Sequence, residues 1–244
     1  MSQKTIGTLY GVGVGPGDPK LMTLRAVEVL RGVSVVFAAS SPKNGYSLAL
    51  NTAQGHIPPE VEVVRLPFPM TDSHELLAQA WRANAGAVAQ ALEQGRDAAF
   101  ITIGDPLTYS TYGYLLRTLR DMGCQAPVVT VPGVTAYHAA AASLNTPLVE
   151  SRQSLAVISG VADPAEIANL AAISDNIVIM KAYRQFDQIV EAVEALPEKW
   201  SLAAASQVSL AEEKATTEAG ALKGQKQHYL TLVIAKRRPA PQAD

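Results

Sequence analysis

Thr8-Leu-Tyr-Gly-Val-Gly-Val-Gly-Pro-Gly-Asp-Pro19 runs from an apolar strand into a glycine-rich loop and then into a helix start at Asp18-Pro19. Strand, glycine loop and helix in that order signal an α/β sheet, and the loop has the outward form of a dinucleotide-binding turn. Its spacing rejects that reading. Counting from Gly11, the sixth place of a G-x-G-x-x-G pattern is Pro16, and counting from Gly13 it is Asp18. A phosphate cradle works because successive backbone N–H groups point at the anion. Pro16 and Pro19 have no N–H to offer, and Asp18 repels a phosphate. The loop therefore suits close approach by a neutral or cationic group better than a pyrophosphate.

Outward from this stretch, short apolar runs alternate with helical patterns for most of the chain, as in an α/β protein. The pattern predicts strands at 6–13, 33–38, 61–65, 97–103 and 127–131, then at 153–159, 175–180, 200–206 and 228–235. Helices are predicted at 18–31, 73–94, 106–122, 134–143, 163–171 and 184–195, with Gly123 stopping the third. Short links in the first half imply a mainly parallel sheet. The closer late strands, with Thr216, Thr217, Gly220 and Gly224 between them, imply a partly antiparallel second sheet. The expected organisation is an N-terminal α/β domain at 1–125, a C-terminal α/β domain at 126–238 and a frayed tail at 239–244.

Composition narrows the function classes. The chain has 244 residues, 48% of them hydrophobic, enough for a substantial core. Its net charge of −2 gives no global pull toward nucleic acid or membrane, and neither is expected as a partner. No apolar run approaches a membrane span, and the glycine-broken start is not a signal peptide. The single thiol, Cys124, cannot form an internal disulfide and fits a reducing compartment, so a soluble cytoplasmic protein is expected.

Gly17-Asp18-Pro19 has an echo in Gly104-Asp105-Pro106; both follow an apolar strand, and both are read as opening a helix. Ligands of α/β sheets gather at the carboxyl ends of strands, so two such loops make a pocket floor. Each tripeptide is equally a well-formed helix start, since Asp caps and Pro suits the first helical position. The second loop, Gly104 to Thr111, adds the hydroxyls of Thr108, Ser110 and Thr111 and the ring of Tyr109, which suit an amino acid's ammonium and carboxylate with Asp105 answering the positive charge. A polar first turn facing solvent explains them as well. A third loop, Val131-Pro-Gly-Val-Thr-Ala-Tyr-His138, leads into the alanine run 139–142, whose small side chains admit a flat ligand or simply pack tightly. His56, His74, His138 and His228 have no Cys, Asp or Glu at ligand spacing, so no metal site is expected. The nucleophile pattern G-x-S-x-G and the P-loop are missing. The pocket is then built for binding and alignment, with proximity supplying the rate. Basic residues near predicted strand ends, among them Lys20, Arg65, Lys181 and Arg184, suit a polycarboxylate ligand or belong to ordinary solvated surface.

The three loops in this order, Tyr10-Gly-Val-Gly-Val-Gly-Pro-Gly-Asp-Pro, Gly104-Asp-Pro-Leu-Thr-Tyr-Ser-Thr and Val131-Pro-Gly-Val-Thr-Ala, resemble the tetrapyrrole (corrin/porphyrin) methyltransferase family over about residues 6–235. Gly7-Thr-Leu-Tyr-Gly-Val-Gly and the Gly-Asp-Pro-x-x-Tyr-Ser-Thr form look most like the branch that methylates carbon 20 of precorrin-2 or cobalt-factor II in cobalamin biosynthesis. The resemblance implies two α/β domains with a cleft between them, usually in a homodimer, and S-adenosyl-L-methionine folded in the cleft, leaving as S-adenosyl-L-homocysteine. By position, Gly104, Asp105, Pro106, Tyr109, Ser110, Thr111, Thr135 and Ala136 line the donor site, joined by Met180, Tyr183, Val208, Thr231 and Leu232 from the second domain. Pro16, Gly17 and Asp18 floor the tetrapyrrole side. Lys20 stands where many relatives carry Glu, and it either meets a substrate carboxylate or points to solvent.

The implied reaction is in-line methyl transfer from a sulfonium to an electron-rich meso carbon, followed by loss of a proton. Asp18, Tyr109 and His138 are candidate acceptors by location alone, and no catalytic base is assigned. The alternatives are another family member (a different precorrin position, diphthamide formation or ribosomal-RNA ribose methylation) or a non-catalytic tetrapyrrole or adenosyl-ligand binding protein. Near-neutral charge counts against RNA.

Overall fold

Val35–Ser40 reads Val-Val-Phe-Ala-Ala-Ser and is buried at five of its six positions, and Ala98–Thr102 is buried throughout. Strands apolar on both faces need cover on both, the setting of a parallel sheet between helical layers. A computed structural model describes residues 6–41, 45–69, 71, 73–161, 163 and 165–238; the tail expected at 239–244 lies outside the described residues. Strands β1 (Leu9–Gly13), β2 (Val35–Ser40), β3 (Glu62–Pro67), β4 (Ala98–Thr102) and β5 (Val128–Val131) form one sheet in the order β3-β2-β4-β1-β5, every pair parallel.

Helices α1 (Leu24–Gly32) and α2 (Leu48–Ala53) cover one face, where Ala26, Leu30 and Leu50 pack with Val12, Val36 and Ile101. Helices α3 (His74–Glu93) and α4 (Tyr112–Asp121) cover the other, where Val88, Leu92 and Leu115 pack with Leu9, Phe37 and Phe100. β1 and β4 are neighbours, yet β1 leads into α1 on one face and β4 into α4 on the other. Connections that part to opposite faces open a crevice at the carboxyl ends of those two strands, which is where open α/β sheets bind ligands.

The chain divides into two compact units, Met1–Thr135 and Ala136–Asp244. The division falls after the 125/126 position set from sequence, because β5 pairs with β1 and so stays with the first sheet. The second unit holds α5 (Ala136–Ser143), β6 (Leu155–Ser159), α6 (Ala165–Ile173), β7 (Asn176–Met180), α7 (Phe186–Glu194), β8 (Trp200–Ser206), β9 (Lys214–Thr216) and β10 (Thr231–Arg237). Its sheet order is β6-β7-β10-β8-β9, with β6 and β7 parallel and the remaining pairs antiparallel, the mixed sheet expected. α6 and α7 pack Ile167, Ile189 and Val193 onto Ile177, Ile179, Ala204 and Val233.

Two predicted helix starts are corrected. Asp18-Pro19 opens only a 3-10 turn, Pro19–Leu21; α1 begins at Leu24, where the Thr23 hydroxyl accepts the Ala26 N–H at 3.1 Å. Gly104-Asp105-Pro106 opens no helix, because Asp105 is engaged elsewhere and α4 starts six residues after Pro106. Gly123 does end α4 as expected, at φ +77° with its N–H on the Arg120 carbonyl. α2 and β9 have no counterpart in the sequence expectation.

Candidate active site

Three loops leave the carboxyl ends of β1, β4 and β5 and meet at backbone distance. The Gly104 N–H donates to the Gly15 carbonyl at 2.7 Å, closing a one-residue antiparallel bridge. A Cβ on Gly13 would lie 2.6 Å from the Gly104 carbonyl oxygen and 2.7 Å from the Gly133 nitrogen, and one on Gly133 would lie 2.2 Å from the same oxygen. Only glycine fits at either place. Gly104 itself, at φ +71°, has room for a side chain and is needed for its backbone conformation.

Asp105 fastens this contact. Its Oδ1 accepts the Leu107 N–H at 2.9 Å and the Thr108 hydroxyl at 3.2 Å, and its Oδ2 accepts the Gly133 N–H at 3.1 Å. The carboxylate expected to answer a ligand's positive charge thus also ties the second loop to the third. Asp18 is similarly occupied: one oxygen accepts the Lys20 N–H at 2.9 Å, while Lys20 is exposed. Pro16 and Gly17 are buried. Pro106 is buried, Tyr109 stands half-exposed at φ +50°, and the Ser110 hydroxyl accepts the Tyr112 N–H at 3.1 Å to start α4. Thr111 precedes α4 with no cap bond from its side chain, and Thr135 is buried at the end of the first unit.

Below the loops, Gly11 is glycine because the Tyr112 ring lies on it; an added Cβ would sit 2.0 Å from the ring. The Tyr112 hydroxyl meets the Thr130 hydroxyl at 3.2 Å, and burial pushes the phenol up from its ordinary value of 10.0. Thr102, which sequence reasoning missed, ends β4 opposite Gly13, and its buried hydroxyl has no hydrogen-bond partner among the described residues. A threonine closing an otherwise apolar strand just before the loop was the available signal.

In the second unit, Met180, Tyr183, Val208, Thr231 and Leu232 gather at one end of the sheet, where β7 and β8 finish and β10 starts. The Ala182 N–H donates to the Thr231 carbonyl at 2.9 Å and the Gln207 N–H to the Leu230 carbonyl at 3.1 Å. Strand alternation separates neighbours in this set. Thr231 shares the α6–α7 face with Val233, and its hydroxyl bonds the Ser206 hydroxyl at 3.0 Å. Leu232 lies on the opposite face with Met180. Val208 is buried, and Tyr183 packs edge-on against Tyr229 at 5.3 Å. Lys181, Gln207 and Ser209 all have positive φ, so this edge holds its shape at a cost in backbone strain. Ala136 opens α5, and His138 on that helix is exposed and stacks on Tyr137 at 4.6 Å, lining a groove with Asn145 and Leu148 that includes none of those five residues. Among the described residues, no group of three or more His, Cys, Asp or Glu is placed to hold a metal ion, and no helix is long and apolar enough to cross a membrane.

The profile of the Tetrapyrrole (Corrin/Porphyrin) Methylases matches residues 8–223. The chain belongs to this family. Among relatives of this tetrapyrrole methylase, the cobalt-precorrin-2 C(20)-methyltransferase of Salmonella typhimurium is 38% identical over 75% of this chain and 76% of its own. The precorrin-2 C(20)-methyltransferase of a Sinorhizobium species is 32% identical over 80% and 81%. The fold agrees with a crystal structure of uroporphyrin-III C-methyl transferase from Thermus thermophilus complexed with S-adenyl homocysteine, at TM-score 0.66 and 22% identity over 94% of this chain and 97% of that one.

Proposed function

We propose that this tetrapyrrole methylase transfers a methyl group from S-adenosyl-L-methionine to carbon 20 of precorrin-2 or cobalt-factor II in cobalamin biosynthesis. The observation that carries the reading is the pair of relatives named for methylation at carbon 20, each matched over three-quarters or more of this chain. The loop chemistry fits the donor. Prolines at 16 and 19 and the carboxylate of Asp18 disfavour a phosphate, and S-adenosyl-L-methionine carries none. The unpartnered buried hydroxyl of Thr102 is a group that a polar ligand or a water would satisfy.

When bound, the donor supplies an electrophilic methyl group. The chain's part is to hold, orient and exclude water, since the electron-rich meso carbon is its own nucleophile. In this reading the donor contacts are Gly104, Asp105, Pro106, Tyr109, Ser110, Thr111 and Thr135. Ala136, Met180, Tyr183, Val208, Thr231 and Leu232 are donor contacts by the same family resemblance. Pro16, Gly17 and Asp18 face the macrocycle. Thr231 contributes through its backbone, because its hydroxyl turns to Ser206. A homodimer in the cytoplasm belongs to the same proposal, supported by the family resemblance and the lone cysteine.

The test is incubation with precorrin-2 and with cobalt-factor II, read by mass spectrometry and NMR. One added methyl at carbon 20 is expected, along with donor binding by titration calorimetry. Methylation at another carbon moves the protein to another branch of the family, and no binding heat removes the donor.

A further inference from the structure

Beside the end of β7 lies an open groove of roughly 530 Å³, entirely within the second unit. It is lined by Lys181 and Arg184, by Ser159 and Gly160 at the end of β6, and by Tyr183 and Tyr229. The two cations are held by aromatic faces: the Lys181 ammonium lies 5.9 Å from the centre of the Tyr229 ring, and the Arg184 guanidinium 5.4 Å from that of Tyr183. Among the described residues neither has a carboxylate at ion-pair distance. The one acid lining the groove, Glu166, turns an oxygen to the Asp163 N–H at 3.3 Å, at the start of α6. Lys181 also sits at φ +54°, a conformation glycine adopts without strain, so a long cation is kept where the backbone disfavours any side chain.

We infer that Lys181 and Arg184 bind carboxylates of the acetate and propionate side chains that rim the tetrapyrrole. The inference rests on the function proposed above, because Lys181 directly follows Met180, a proposed donor contact. Two cations fixed on tyrosine rings, with no counter-ion among the described residues, recognise a ligand that combines flat apolar surface with peripheral carboxylates. Tyr229 offers the flat surface and the cations the charge.

The test compares the wild type with Lys181→Gly, Arg184→Gln and the double variant. Lys181→Gly removes the charge and relieves the positive-φ strain, so its melting temperature should be essentially unchanged. The probes are uroporphyrin III, a stable macrocycle with acetate and propionate rims, titrated by its fluorescence at two salt concentrations, and S-adenosyl-L-methionine titrated by calorimetry. The double variant should bind the porphyrin roughly five- to twentyfold more weakly, with a flatter salt dependence and an unchanged donor affinity. In turnover, KM for the tetrapyrrole should rise by a similar factor with kcat nearly constant. Porphyrin affinity and KM unchanged in the double variant overturn the inference, and so does a wild type that does not bind the porphyrin. A wild type that binds it through these residues but transfers no methyl group leaves the inference standing and removes the proposed reaction.

Discussion

Asp105 offers the sharpest test of how the loops are held, because its two oxygens do different jobs. Oδ1 shapes its own loop through Leu107 and Thr108, and Oδ2 reaches across to the Gly133 N–H. The bonds within the loop are largely exposed, worth about 0.5–1 kcal/mol each. The partly buried bond to Gly133 joins a charged acceptor to a backbone donor and is worth about 1.5 kcal/mol. Asp105→Ala should therefore lower unfolding free energy by about 2.5–3.5 kcal/mol. Asp105→Asn keeps one oxygen but turns an NH2 toward the Gly133 N–H, and should lose about 1.5 kcal/mol. Urea unfolding of the three proteins should rank wild type above Asn above Ala. If about 1.4 kcal/mol of the Ala loss goes into reordering the loop on binding, donor affinity falls about tenfold by calorimetry. Should Asp105→Asn match the wild type in both assays, the link to Gly133 contributes nothing and Asp105 merely shapes a turn.

Other outcomes can be stated briefly. Gly133→Ala drives a Cβ into the Gly104 carbonyl and should abolish soluble expression or donor binding, whereas Gly104→Ala meets only a backbone preference and should cost about 1 kcal/mol in urea unfolding. Tyr112→Phe should flatten the alkaline limb of stability. The buried phenol stays protonated in the folded state above pH 10.0 while the unfolded chain ionises, so wild-type stability is full below that pH and falls above it. A limb unchanged in the variant would show that another group governs it. Thr231→Val should lose about 1 kcal/mol by leaving the Ser206 hydroxyl unpaired, yet leave donor affinity intact; a weakened donor would place the hydroxyl in the site.

Strands packed into both sheets were legible because their apolar runs are long and bounded by turn residues; β8 matches its predicted span, 200–206. β9 escaped notice because Lys214-Ala-Thr216 is short and mostly exposed, with no alternation to read. α2 escaped because Leu48–Ala53 spans less than two turns, although Ser47 caps it with its hydroxyl on the Leu50 N–H. The helix placed at 106–122 shows what local chemistry leaves undecided. Asp-Pro reads as a cap and first turn, but the Asp105 carboxylate was claimed by Gly133, a donor 28 residues away. The three loops were visible as motifs, whereas the contact among Gly13, Gly104 and Gly133 depends on strand order, which no local pattern carries. Alternation along β10 puts Thr231 and Leu232 on opposite faces of the sheet, a separation that their adjacency in sequence conceals.

The strand order also governs how this protein comes into being. β1 and β2 are not neighbours; β4 lies between them and is made only after β3 and α3. In a chain emerging from the ribosome, β2 and β3 therefore have each other as neighbours, but β1 has none until β4 is made. The glycine contact waits longer still, until Gly133 has been added. β4 joins β1 to β2 and draws the first two loops together, and β5 brings in the third. A piece that ends after β4 therefore holds two of the three loops, and the full contact comes only with the last strand of the sheet.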